Sequence, residues 1–160
     1  MPAAPRTLRP AQQGDLDTLV ELGRRSWLSA FAQTAPFTLI EWWARTNRVR
    51  TLFAANWPQM LLCCQADEIL GLAQPAQDEV NGLWVHPAHQ GTGVGSQLLA
   101  AAEADIAREG NRVAWLTCSA WNPRALAFYA ARGYVETGRT RCVHASGVEV
   151  EEIRMERRLR

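Results

Sequence analysis

The sequence predicts an α/β (α+β) fold: a single domain in which a mixed, mostly antiparallel central sheet of about six to seven strands is flanked by about four helices. Three observations carry this. Several apolar runs have the length of strands, several longer stretches repeat apolar residues at helical spacing, and a glycine-rich passage joins a strand to a helix and then to a further strand. At 160 residues and 48% hydrophobic composition the chain suits one domain over residues 1–160, with no Pro/Gly/Ser-rich linker.

An extended piece around Thr7–Arg9 opens the order. Asp15 is placed to cap a helix whose residues Leu16, Leu19, Val20, Trp27, Leu28 and Phe31 share one face. A second helix starts near Thr38, carries Trp42 and Trp43, and continues through Val49, Leu52 and Phe53 until "NWP" breaks it. "MLLCC" and "ILGLA" read as a hairpin joined by the four residues "QADE". "EVNGLWV", Glu79 to Val85, is the next strand and ends at His86 and Pro87.

A helix follows over 94–108, with Val94, Leu98, Leu99, Ala102 and Ile106 facing the core and Gly110 as its C-terminal cap. "RVAWLTCSA" is a buried strand, and Asn122 then caps a helix with Pro123 in its first turn and Gly133 at its end. "YVETGRTRCV" and "VEVEEIRMER" are two last strands joined by "HASG". The apolar alternation slips between Val150 and Ile153, which predicts a bulge there. The strand–helix–strand unit over 79–118 requires one parallel, right-handed connection.

A formal net charge of +1 gives no global attraction to nucleic acid or to an anionic membrane. All the basic residues are arginine, so lysine chemistry is excluded. No run approaches the roughly 20 apolar residues of a bilayer crossing, and the N-terminus lacks a signal-peptide core, which points to a cytoplasmic protein. Cys63, Cys64, Cys118 and Cys142 lack metal-ligand spacing, and neither a metal site nor a disulfide framework is expected.

The chemistry centres on "HPAHQGTGVGSQLL". A helix N-terminus leaves backbone N–H groups unpaired and carries a partial positive charge, so an anion is its natural partner. Gly91, Gly93 and Gly95 would let phosphate oxygens approach those groups, and the Ser96 hydroxyl could join them. The ending Gly-Lys-Ser/Thr of a nucleoside triphosphate loop is absent, and the spacing is not GxGxxG. The ligand is therefore a different phosphate-bearing molecule.

"QGTGVG", Gln90 to Gly95, resembles the Gln/Arg-x-x-Gly-x-Gly/Ala motif of the GCN5-related N-acetyltransferases. "LWVHP" before it, and "LTCSAWNPRALAFYAARGYVETG" after it, are similar to that family's fourth strand and to its fifth strand, following helix and next strand start. The resemblance covers roughly 7–157 by element order and is specific over 79–138. It implies a sheet splayed between its fourth and fifth strands, with acetyl-CoA as co-substrate lying in the gap. It also implies that Leu83, Trp84 and Val85 bind the pantetheine arm through main-chain groups, the Val85 N–H polarising the thioester carbonyl. Gln90, Gly91, Thr92, Gly93, Val94, Gly95 and Ser96 would hold the pyrophosphate, with Asn122 and Tyr129 near the arm. Thr92 departs from the family, many of whose members carry a basic residue there.

Acetyl transfer to an amine needs a base for the ammonium and an acid for the leaving thiolate. The resemblance gives Tyr129 as general acid and Glu79, eleven positions before Gln90, as base, with His86 as an alternative. The acceptor would be a primary amine on a small molecule or a peptide N-terminus, held beside aromatic residues of the first two helices, Trp27 and Phe31 among them. A homodimer through the bulged C-terminal strand edge is a further implication. A domain that binds acetyl-CoA without turnover, or one that uses another acyl-CoA, stays open at this point.

Overall fold

The computed structural model of the chain describes residues 4–160. Among these, seven strands form one sheet: β1 (Arg6–Pro10), β2 (Leu61–Gln65), β3 (Glu68–Ala76), β4 (Glu79–Val85), β5 (Val113–Ser119), β6 (Val135–Val143) and β7 (Glu149–Arg158). Their order is β1-β2-β3-β4-β5-β7-β6, and all neighbours are antiparallel except β4 and β5. The helices are α1 (Leu16–Phe31), α2 (Phe37–Thr46), α3 (Arg48–Asn56), α4 (Val94–Arg108) and α5 (Pro123–Ala130).

Strand alternation divides the core between the two sheet faces. On β2, Leu62 and Cys64 join Leu19, Val20, Val49 and Phe53 under α1 and α3, while Cys63 points to the opposite face. There Leu70, Val80, Leu116 and Ile153 pack against Leu98, Leu99 and Ile106 of α4 and Tyr129 of α5. Each fully buried apolar side chain contributes about 1.5–3 kcal/mol, so both faces stabilise the sheet. α1 and α3 meet closely at Gly23, where a Cβ would stand 2.8 Å from both Val49 and Phe53 side chains. Tyr134 donates to Glu103 at 2.9 Å, and Arg157 donates to the same carboxylate, tying the start of β6 and the end of β7 to α4.

Several expectations change on contact with the structure. The predicted second helix is two helices, because Asn47 between α2 and α3 adopts the left-handed conformation at φ 48°, which asparagine tolerates. Asp15 does not cap α1: it ends a short 3-10 turn, where its carboxylate accepts from the Gln12 N–H at 2.8 Å and from both arms of Arg9. The Arg9 guanidinium holds that carboxyl below its ordinary range. Leu28 lies off the buried stripe and is exposed. The β2–β3 connection is Ala66 and Asp67 alone, since Gln65 and Glu68 pair with each other.

The C-terminal hairpin departs in two ways. Its irregularity lies on β6 between Glu136 and Gly138, and β7 keeps an unbroken register with β5 and, past that point, with β6. Val150 and Ile153 are simply buried on opposite faces, an odd spacing that needs no bulge. β7 is also an inner strand: the hairpin folds back so that β7 pairs with β5 and β6 becomes the sheet edge.

One local device shapes the functional region. Gln74 pairs with Gly82 but Pro75 with Val80, so β4 carries Asn81 as an extra residue. Proline has no N–H for the ladder, which suits it to this interruption. Beyond it β4 leaves β5, and their pairing is limited to Glu79 opposite Trp115.

Candidate active site

The gap between β4 and β5 exposes a row of main-chain groups. The His86 N–H donates to Leu70 at 2.9 Å, which fixes the alternation along β3 and β4. The Trp84 pair with Leu72 is then a hydrogen-bonded one, while the N–H and C=O groups of Leu83 and Val85 point away from β3 into the gap. Trp84 is therefore engaged with β3, and its ring packs edge-on against Phe53 on the other face at 5.4 Å. The main-chain groups that face the gap are those of Leu83 and Val85.

Both residues line a cavity of about 320 Å³ that continues over Gln90, Gly91, Gly93, Gly95 and Ser96 to Asn122 and Tyr129, with Ser26, Ser29 and Ala30 of α1 on its other wall. Gly91 and Gly93 have φ of 76° and 89°, where side chains are strained, and no atom lies within 4 Å of a Cβ at Gly91. Gly95 has a different reason to be small. A Cβ there would stand 3.2 Å from the Phe128 ring, so it lets α4 and α5 close on each other. Val94 is fully buried by its side chain and offers only its N–H. With Gly93 as N-cap and no side-chain cap, the first amides of α4 are open to a ligand.

Three arginines surround this helix end, and sequence reading missed all of them. Arg6 of β1 donates to the Thr92 carbonyl at 2.8 Å and to its hydroxyl at 3.0 Å. It thus brings a cation to the position where Thr92 lacks one. Thr92 itself donates to the His89 carbonyl at 2.6 Å. Arg124 donates to Gln90 Oε1, while Gln90 Nε2 donates to the Val85 carbonyl at 3.1 Å, so Gln90 links the end of β4 to α5. Arg132 lies over the Phe128 ring at 3.7 Å and donates to the Ser96 hydroxyl, leaving that O–H free to donate. The legible signal was the recurrence of Arg124, Phe128 and Arg132 at every fourth position; nothing local points to Arg6.

The Asn122 side-chain oxygen Oδ1 accepts from the Ala125 N–H at 3.1 Å, so its cap role is real, and the residue also lines the cavity. Tyr129 is 8% exposed, and among the described residues its hydroxyl has no hydrogen-bond partner. No buried side-chain oxygen is left unsatisfied there, so that hydroxyl opens to the cavity. Burial, with the nearby Cys118 second, pushes its phenol above the ordinary range.

The remaining predicted residues lie outside the cavity. Glu79 is at the closed end of the gap beside Trp115, its carboxyl raised by burial against the opposing pull of Arg154. The His86 ring accepts from the Ala88 N–H at 3.2 Å and so caps a short turn. Trp27 stacks on Trp43 at 4.4 Å and meets Phe31 at 4.9 Å, on the α1–α2 side of the sheet. Among the described residues no group of His, Cys, Asp and Glu could hold a metal, and no helix is long and apolar enough to cross a membrane.

Comparison with known proteins agrees with this architecture. A crystal structure of a GCN5-related N-acetyltransferase from Rhodopseudomonas palustris is 25% identical and superposes with a TM-score of 0.85, covering 99% of each chain. PaiA N-acetyltransferase of Thermoplasma acidophilum, solved with coenzyme A, is 20% identical, with TM-score 0.73 over 97% of this chain and 99% of that one. YncA of Salmonella typhimurium, solved with its cofactor acetyl-CoA, is 22% identical, with TM-score 0.70 over 98% and 95%. No curated protein sequence matches the chain. A family model described as the acetyltransferase (GNAT) family matches residues 16–134, and the chain belongs to that family.

Proposed function

We propose that the protein transfers the acetyl group of acetyl-CoA to a primary amine, on a small molecule or a peptide N-terminus, by direct attack while both are bound. The observation that carries this reading is the edge of β4 at Leu83 and Val85, which among the described residues has no strand partner and opens beside a helix N-terminus ringed by Arg6, Arg124 and Arg132. A polyanion on an extended amide-bearing arm suits that arrangement, and bound coenzyme A and acetyl-CoA in the PaiA and YncA structures support it.

In this reading the amides of α4 and the three guanidiniums hold the pyrophosphate, and the Leu83 and Val85 main chain pairs with the arm. An N–H from the same edge polarises the thioester carbonyl. The Tyr129 hydroxyl, kept protonated by burial, donates to the departing sulfur and completes the transfer as the attacking nitrogen gives up its own proton. A homodimer paired edge to edge would use β6, the edge of the sheet opposite β1, which carries exposed Val135 and Val143.

Thermal melting with millimolar acetyl-CoA tests the first step, because a ligand bound only to the folded state raises the melting temperature. A rise is expected, and its absence sinks the reading. Thiol release across a panel of amines then tests turnover.

A further inference from the structure

The sheet face opposite α4 and α5 is left open over β5 and β7. Ala114, Leu116 and Cys118 of β5 point into the α4–α5 core, so Trp115, Thr117 and Ser119 point the other way, sharing that face with their β7 partners Glu156, Arg154 and Glu152. Thr117 is exposed although β5 is an inner strand, so no helix covers it. Two contacts bound the resulting groove. Thr34, just after α1, donates to the Trp121 carbonyl at 2.6 Å, and Trp42 of α2 packs edge-on against His144 of the β6–β7 turn at 4.5 Å. The stack of Phe31, Trp27 and Trp43 stands on the same two helices.

The charges on the groove floor are unbalanced. Arg154 donates to Glu156 at 2.9 Å and lies over the Trp115 ring at 3.9 Å, so that pair cancels. Glu152 is half-buried and, among the described residues, has neither a hydrogen bond nor an ion pair. Glu79 also lacks a partner there, but it sits opposite Trp115, about 13 Å back along β5 from Ser119 at roughly 3.3 Å per residue. Glu152 pairs with Ser119, at the end of β5 where the gap is widest. Cys118, the residue before Ser119, points to the opposite face and belongs to the same buried cluster as Tyr129.

We infer that Glu152 receives the ammonium group of the acceptor, and that the acceptor is a monoamine with an apolar or aromatic body lying in the groove between α1–α2 and the β6–β7 hairpin. The inference rests on the acetyl-transfer reading above. The ammonium first gives one proton to the Glu152 carboxylate, which later releases it to solvent. The freed lone pair forms the C–N bond, the C–S bond breaks, and the sulfur takes the Tyr129 proton. The Tyr129 phenol is restored by the second proton, which the nitrogen loses in becoming an amide. Burial raises the Glu152 carboxyl above its ordinary range, which suits it to hold a proton briefly.

The test compares wild type, Glu152→Gln and Glu79→Gln by thiol release with three probe acceptors: tryptamine, phenethylamine and hydroxylamine, the last uncharged at neutral pH. Acetyl-CoA affinity is measured alongside by calorimetry. Wild type should acetylate the arylalkylamines, and Glu152→Gln should lower kcat/KM for them by about 100-fold, the lower range for removing a proton acceptor. Hydroxylamine turnover and acetyl-CoA affinity should change by less than about threefold, since neither needs that carboxylate. Equal loss with hydroxylamine, a loss confined to Glu79→Gln, or a wild type that binds acetyl-CoA yet acetylates neither arylalkylamine overturns the inference while leaving acetyl-CoA binding intact. Failure of the wild type to bind acetyl-CoA overturns the acetyl-transfer reading itself.

Discussion

The two sides of the β4–β5 gap are built on different plans. On the α4 side, groups close in sequence make most of the site: Leu83 to Ser96 supply the strand edge, the turn and the helix end, with backbone atoms as the main donors. On the α1–α2 side, the groove floor joins Ser119 to Glu152 and its rim joins Thr34 to Trp121 and Trp42 to His144, pairs far apart in the chain. A backbone-built site tolerates little change because only a few conformations present the amides. A side-chain site assembled from distant strands can alter its ligand with single substitutions, and so can keep one donor while the acceptor differs.

The largest break in this contrast should come at Tyr129, where the two sides meet. Tyr129→Phe is expected to lower kcat by about 100-fold in thiol-release assays, as loss of a general acid does, with acetyl-CoA affinity unchanged. Gly93→Ala probes the backbone side alone. At φ 89° the left-handed conformation costs a Cβ-bearing residue about 1–2 kcal/mol, so acetyl-CoA should bind roughly tenfold more weakly by calorimetry, with little change in acceptor KM.

Arg6→Ala and Arg124→Ala should each weaken acetyl-CoA by roughly fivefold, within the range of one charge-assisted hydrogen bond at an exposed site. Their losses should shrink as salt is raised, because exposed charges are screened. If Arg6→Ala has no effect at low salt, β1 does not complete the phosphate site. The smallest effect is on stability, at Glu152. Its carboxyl is raised in the folded state, so the fold binds its proton more tightly than the unfolded chain, and stability falls as pH rises through the folded-state value. Glu152→Gln should therefore melt slightly higher than wild type at pH 7 and at the same temperature below the ordinary carboxylate range. A lower melting temperature at pH 7 would show that the carboxylate is structural.

Much of the α4 side was legible in the chain because its signals are local. Glycines at alternate positions, an Asn-Pro helix opening and a strand running into His86-Pro87 each constrain their own backbone, and β4, α4 and the Asn122 cap stand where the spacing put them. The side to which Trp84 turns its main-chain groups was not legible, because it depends on the register with β3. Glu79 was tied to the site by its distance from Gln90, yet the extra residue at Asn81 and the pairing with Trp115 decide where the strand carries it.

The sequence by itself determined the elements, their order and a glycine turn that leads into a helix N-terminus, since dihedral preferences and apolar periodicity act over a few residues. Only the tertiary structure decided that β7 lies inside the sheet, that Arg6 reaches Thr92, and that Glu152 stands beside Ser119 with no side-chain partner among the described residues. These follow from strand order and register, which are set by how whole faces pack together and leave no mark on any short stretch of chain.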